Sequence, residues 1–139
     1  MDNDTKRMII LDNYQTPRNN IIPENKDEYI KLNSNNASCI DNIDIYIKLE
    51  NDIIKDIRFN GEACVIAISS TSILTELLIG KTRKEALNIL ENYHHMIEEH
   101  EYSKDIIKEL NVYNDIYKQP SRKTCATLAS RKIGEYLKK

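Results

Sequence analysis

Four side chains carry the chemistry this sequence can do. They are the thiols of Cys39, Cys64 and Cys125 and the carboxylate of Asp41, two residues beyond Cys39. Three thiolates and a carboxylate are a sufficient donor set for a tetrahedral zinc ion. Soft thiolates also suit iron. They can equally hold an iron–sulfur cluster or accept a persulfide sulfur. The plain alternative is packing, since free cysteine is among the most buried residue types. An odd number of cysteines argues against a closed disulfide framework.

The elements that must position these residues are legible in outline. Ile43, Ile45, Ile47 and Leu49 alternate with Asp44, Tyr46, Lys48 and Glu50, the period of a half-buried strand. Asn51-Asp52 reads as a tight turn, and Ile53, Ile57 and Phe59 as the apolar face of a second strand. Asn60-Gly61 is a hairpin signal, because a type I′ turn needs positive φ at both positions. Cys64 to Ile68 then reads as a third short strand. With the first turn centred on residues 51 and 52, Cys39 opposes Cys64, and Asp41 falls beside them at one end of the sheet.

Helices are predicted on either side. Residues 4–14 read as a short helix with Met8, Ile9 and Leu11 as its apolar positions, and residues 17–38 as a long connection. Ser69 or Ser70 caps a helix running to Ile79, with Gly80 in the left-handed position after it. Thr82 and Glu85 form a capping box ahead of a helix that turns Ala86, Leu90, Tyr93 and Ile97 to one side. Ser103 caps a shorter helix with Ile106, Ile107 and Leu110. The last helix begins near Ser121, with Leu128, Ala129, Ile133, Tyr136 and Leu137 on one side. Cys125 is expected in its first turn, where backbone N–H groups favour a thiolate and Arg122 and Lys123 add positive charge. Chain geometry alone does not bring Cys125 to the other two cysteines. Strands followed by helices predict an α+β fold, a three-stranded antiparallel meander with helices packed on one face. Residues 1–139 are expected to form a single domain.

Composition narrows the function classes. Charged residues make up 30% and the net charge is −2, which gives no support for nucleic acid as a partner. No apolar run reaches the ~18 residues of a membrane span. With no visible leader, a cytoplasmic protein with reduced thiols is expected. His94, His95 and His100 lack a known ligand spacing and read as surface or boundary residues. The eight tyrosines read as core edge and surface. Neither a Gly-rich phosphate loop nor a GxSxG nucleophile motif is present.

Several blocks, in order, resemble one family. Ile9 to Asn19 is similar to an opening helix followed by His-Tyr-x-x-Pro-Arg-Asn. Asn36-Ala37-Ser38-Cys39-Ile40-Asp41 is similar to Asn-Pro-x-Cys-Gly-Asp. Phe59 to Ser72 resembles Gly-x-Gly-Cys-x-Ile-x-x-x-Ser-x-Ser. Gly80-Lys81-Thr82 resembles a Gly-Lys before a long helix, and Pro120 to Leu128 the segment around a third cysteine. These blocks are those of the iron–sulfur cluster scaffold proteins of the IscU, SufU and NifU N-terminal type.

The resemblance implies a protein that accepts sulfur from a pyridoxal-phosphate cysteine desulfurase. It would then build a [2Fe–2S] cluster for apo iron–sulfur proteins, acting as a scaffold and sulfur acceptor more than as an enzyme. It also implies that Cys39, Cys64 and Cys125 are the reactive and cluster-binding thiols, with Asp41 their acidic partner. Thr124 stands where the IscU type has histidine. The 61-residue separation of Cys64 and Cys125, with the extra Glu99–Tyr117 stretch, resembles the SufU type. That branch implies the alternative role, a zinc-dependent sulfurtransferase relaying persulfide to a separate assembly complex, with zinc on the three cysteines and Asp41. Ile40, Ala63, Ala37 and Asn13 depart from the family pattern. The β-branched Ile40 in place of glycine predicts a stiffer or differently shaped loop around Cys39 and Asp41.

Overall fold

In the computed structural model, which describes residues 1–36 and 40–139, the alternating isoleucines form the centre of the sheet. Strand β2 (Asn42–Glu50) pairs antiparallel with β3 (Ile53–Glu62) and with β1 (Ile30–Asn35), in the order β1-β2-β3. Ile43, Ile45 and Ile47 are fully buried, as are Ile57 and Phe59 opposite Ile47 and Ile45. Asn51 and Asp52 both adopt positive φ, 52° and 64°, so the first hairpin turn is the one predicted.

The meander itself differs from the expected one. Its third member is β1, drawn from the stretch read as a long connection, which also contains a 3-10 turn at Lys26–Glu28. β1 is an edge strand with only Ile30 and Leu32 as apolar residues, so its alternation is masked by Asn and Ser. Backbone pairing to β2 and a bond from Ser34 Oγ to Leu128 O (2.7 Å) hold it.

Asn60-Gly61 is no turn. β3 runs through it to Glu62, and Gly61, at φ 138°, lies opposite Ile43. The positive φ that glycine supplies is used inside a strand, where a Cβ would press against the Asn42 carbonyl and lie 2.9 Å from Ile43 Cα. The register also slips by one between Lys48 and Leu49, leaving Lys55 as the extra residue on β3. The slip turns Ile54 into the core and leaves Ile53 39% exposed, the reverse of the simple alternation.

Cys64 to Ile68 is likewise helical. Helix α2 (Val65–Leu78) begins there, with Cys64 as its N-cap. The apolar residues at its start belong to a 14-residue element, longer than a typical strand. Its buried Ser and Thr hydroxyls bond within the helix, as Thr71 Oγ1 does to Ala67 O at 2.7 Å. Ser72 Oγ instead donates to Asn13 Oδ1 (2.7 Å) of helix α1 (Asn3–Gln15), tying the two packed helices together. Of the apolar positions expected on α1, Met8 is 71% exposed and Leu11 40%, while Ile9 and Ile10 meet the core.

Beyond Gly80, at φ 89°, both halves of the predicted capping box are made at the start of helix α3 (Arg83–Ile97). Ala86, Leu90, Tyr93 and Ile97 are buried along it. Helix α4 (Lys104–Ile107) follows, without the expected side-chain cap from Ser103, and leads into a 3-10 segment, Lys108–Tyr113. The final helix is two: α5 (Pro120–Ala126) and α6 (Leu128–Leu137), broken at Thr127. α2 packs on β3 and α6 on β1, completing an α+β arrangement of helices against one antiparallel sheet. No helix among the described residues is long and apolar enough to cross a membrane.

Candidate metal and sulfur site

Three of the four predicted residues meet. One ligand atom each from Asp41, Cys64 and Cys125 lies within 4.8 Å of the other two. The fourth, Cys39, lies outside the described residues. The chain reaches this point from three directions. Asp41 directly precedes β2, and its carbonyl accepts from Asn36 N–H at 2.9 Å across the β1–β2 connection. Cys64 ends the segment after β3. Cys125 comes from α5.

Asp41 is 1% exposed. Its Oδ1 accepts from Cys64 N–H at 2.8 Å, and its Oδ2 lies 3.8 Å from Cys64 Sγ. Cys64 Sγ also accepts from Ala67 N–H at 3.5 Å, closing the first turn of α2. The helix-start position expected for Cys125 therefore belongs to Cys64. Cys125 is the sixth residue of the seven-residue α5, with its Sγ 3.9 Å from Ser121 O. The helix dipole at that end opposes a negative sulfur. Burial pushes the Cys125 thiol well above the usual cysteine range, and Asp41 and Cys64 beside it push the same way. Negative donors gathered in a buried place make such a thiol hold its proton; a cation between them reverses that preference.

Two buried tyrosines fix the supporting elements. Tyr113 OH and Ser69 Oγ are 2.6 Å apart, pinning the start of α2 to the 3-10 segment Lys108–Tyr113. Tyr93 OH donates to Ala126 O at 2.6 Å, next to Cys125. Both rings are fully buried, so these two tyrosines belong to the core, not to the edge or surface expected of all eight. Tyr93 was already legible as a core position by its helical spacing; Tyr113 sits in a 3-10 segment that has no such period.

Cys64 is half-buried and opens on a cleft of about 490 Å³ whose walls include Tyr14, Ile40, Gln119 and Arg122. Arg122 is the positive group there. Ile40 is 70% exposed, so the residue expected to reshape the loop presents an apolar side chain to solvent beside the thiol. Nothing in its spacing marks Tyr14, 50 residues before Cys64, as part of this wall.

The family model described as NifU-like N terminal domain matches residues 5–138. The chain belongs to that family. Among its members, the zinc-dependent sulfurtransferase SufU of Bacillus subtilis is 33% identical over 124 residues, covering 88% of this chain and 82% of that one. The iron–sulfur cluster assembly scaffold protein IscU of Thermotoga maritima is 34% identical over 104 residues, covering 75% and 73%. The crystal structure of FiSufU from Fervidobacterium islandicum superposes with a TM-score of 0.81 at 27% identity, covering 93% of each chain. The family resemblance read from the motif blocks, and the α+β fold it implied, are those of this chain.

The donors fit the ions such proteins handle. Two thiols and a carboxylate in one buried cluster match the sulfur and oxygen preferences of zinc and the thiolate preference of iron–sulfur clusters.

Proposed function

We propose that this chain is an iron–sulfur cluster assembly protein that takes sulfur from a pyridoxal-phosphate cysteine desulfurase and serves as scaffold for a nascent cluster. The observation that carries the reading is the convergence of Asp41, Cys64 and Cys125, from three distant segments, on a family fold. Cys39 completes the thiol set by its place two residues before Asp41.

The chain's own residues supply the transfer chemistry. A thiolate of the set attacks the terminal sulfur of the desulfurase's cysteine persulfide. The new S–S bond forms on this chain, the donor's S–S bond breaks, and the donor cysteine leaves as thiolate, with no net oxidation. Half-buried Cys64, facing the cleft, is the accessible member of the described pair, while Cys125 is 5% exposed. Asp41 holds the Cys64 backbone N–H and so fixes the thiol at the head of α2. The cluster is cargo, destined for apo iron–sulfur proteins or a downstream assembly complex. The need for reduced thiols supports a cytoplasmic setting for this work.

Anaerobic incubation with iron and sulfide tests this. A thiolate-to-iron absorption band is expected in the native protein and not in Cys39→Ser or Cys125→Ser. A native protein without the band would end the scaffold role.

A second reading is favoured by the SufU relative and by the extra stretch between α3 and α5, which folds as α4 and two 3-10 segments. In it the three cysteines and Asp41 hold zinc, which lowers the proton affinity of the thiols, and the chain relays persulfide. About one zinc per purified chain and a rise in desulfurase turnover are then expected. Unchanged turnover counts against the relay.

A further inference from the structure

Helix α3 ends in a turn that brings two imidazoles together. Glu99 N–H donates to Met96 O at 3.2 Å and His100 N–H to His95 O at 2.8 Å, with Glu99 at φ 64°. These are the two bonds of a Schellman motif, which folds the second residue after the helix back over its last turn. That contact is commonly apolar. Here it is His100 against His95, ring centroids 5.6 Å apart at 60°. One turn earlier, Glu91 Oε1 lies 3.9 Å from His95 Nε2. All three side chains are substantially exposed, at 42% for His95 and 67% for Glu91.

We propose that Glu91, His95 and His100 form a second divalent-metal site, separate from the thiol set, that takes a zinc-class ion from solution. Two imidazoles and one carboxylate, with water completing the shell, select zinc, nickel or cobalt over magnesium or calcium. The backbone does the positioning. A left-handed residue at Glu99 costs energy in a non-glycine position, and it is what puts His100 over His95. The three ligand atoms are not gathered as the side chains stand, and rotation about the exposed His100 torsions, a picosecond-to-nanosecond motion, is what closes the proposed site. The adjacent His94 does not take part. Its Nε2 is 2.8 Å from Ser130 Oγ of α6, which occupies that nitrogen.

Zinc titrated into the purified protein, followed by calorimetry and by imidazole NMR, tests the site. About one zinc equivalent beyond the thiol set is expected, shifting the His95 and His100 resonances more than that of His94. His95→Ala with His100→Ala should lose that equivalent. Glu99→Gly, which favours the same left-handed turn, should keep it. Glu99→Pro retains all three ligands but cannot adopt the turn, and should lose it with the circular dichroism of the fold unchanged. In Cys64→Ser/Cys125→Ser the second equivalent should remain, which separates this site from failure of the thiol reading. Unmoved His95 and His100 resonances in the native protein would overturn the proposal, as would Glu99→Pro binding like the native chain.

Discussion

Asp41 has two duties that substitution separates. Its carboxylate accepts the Cys64 backbone N–H and also stands in the donor set. Asp41→Asn keeps an acceptor oxygen but removes the charge, so the fold should persist while zinc content falls. Asp41→Ala leaves a buried N–H without a partner and should also cost about 1–3 kcal/mol. Urea denaturation read beside metal analysis tells the two apart, and equal metal content in all three proteins would remove Asp41 from the set. At this scale the sequence was informative because spacing and family blocks name residue types. It was misleading where chemistry depends on position within a helix. Cys125 looked like a helix-start thiol, yet Pro120 opens α5 five residues before it and Cys64 takes the cap.

Elements differ in how openly they announce themselves. The Thr82–Glu85 box was readable because its four residues act locally, and the structure makes both bonds, at 3.1 and 2.9 Å. Thr82→Ala should cost about 1 kcal/mol. The Glu85 carboxyl is held below its usual range by Thr82's backbone N–H and then its hydroxyl. Its contribution is therefore present above the ordinary glutamate range and lost as pH falls through the lowered value, which denaturation at neutral and acid pH would follow. Gly61 shows the opposite case. Asn60-Gly61 carries a strong local turn signal, but strand pairing with Ile43 overrides it and uses the glycine for close approach. Gly61→Ala should cost about 2–3 kcal/mol, from backbone strain together with the clash against β2. A mere turn glycine at an exposed hairpin tip would tolerate the change far better, so a near-neutral urea midpoint would contradict the strand assignment. β1 escaped notice for a related reason: an edge strand held by backbone bonds needs few apolar residues.

Across the whole molecule, the donor set gathers three segments distant in sequence: the end of the sheet, the head of α2, and α5. Asp41 and Cys64 are separated by 23 residues and bonded to each other. Cys125 arrives 61 residues later on the seven-residue helix α5. An ion held by all three ties the end of the sheet to α2 and α5, and no equivalent site exists in the unfolded chain. Binding free energy therefore appears as folding free energy, about 2.7 kcal/mol when free zinc is one hundred times its dissociation constant. For a chain of this size that corresponds to a rise in Tm of several degrees. Scanning calorimetry with zinc and then with a chelator should show the rise and its reversal. Cys125→Ser should show a much smaller difference between the two conditions, because the third segment can no longer be drawn in and only the site at the end of α3 still responds to zinc. A native protein indifferent to both additions would mean that the three donors are held together by the fold alone.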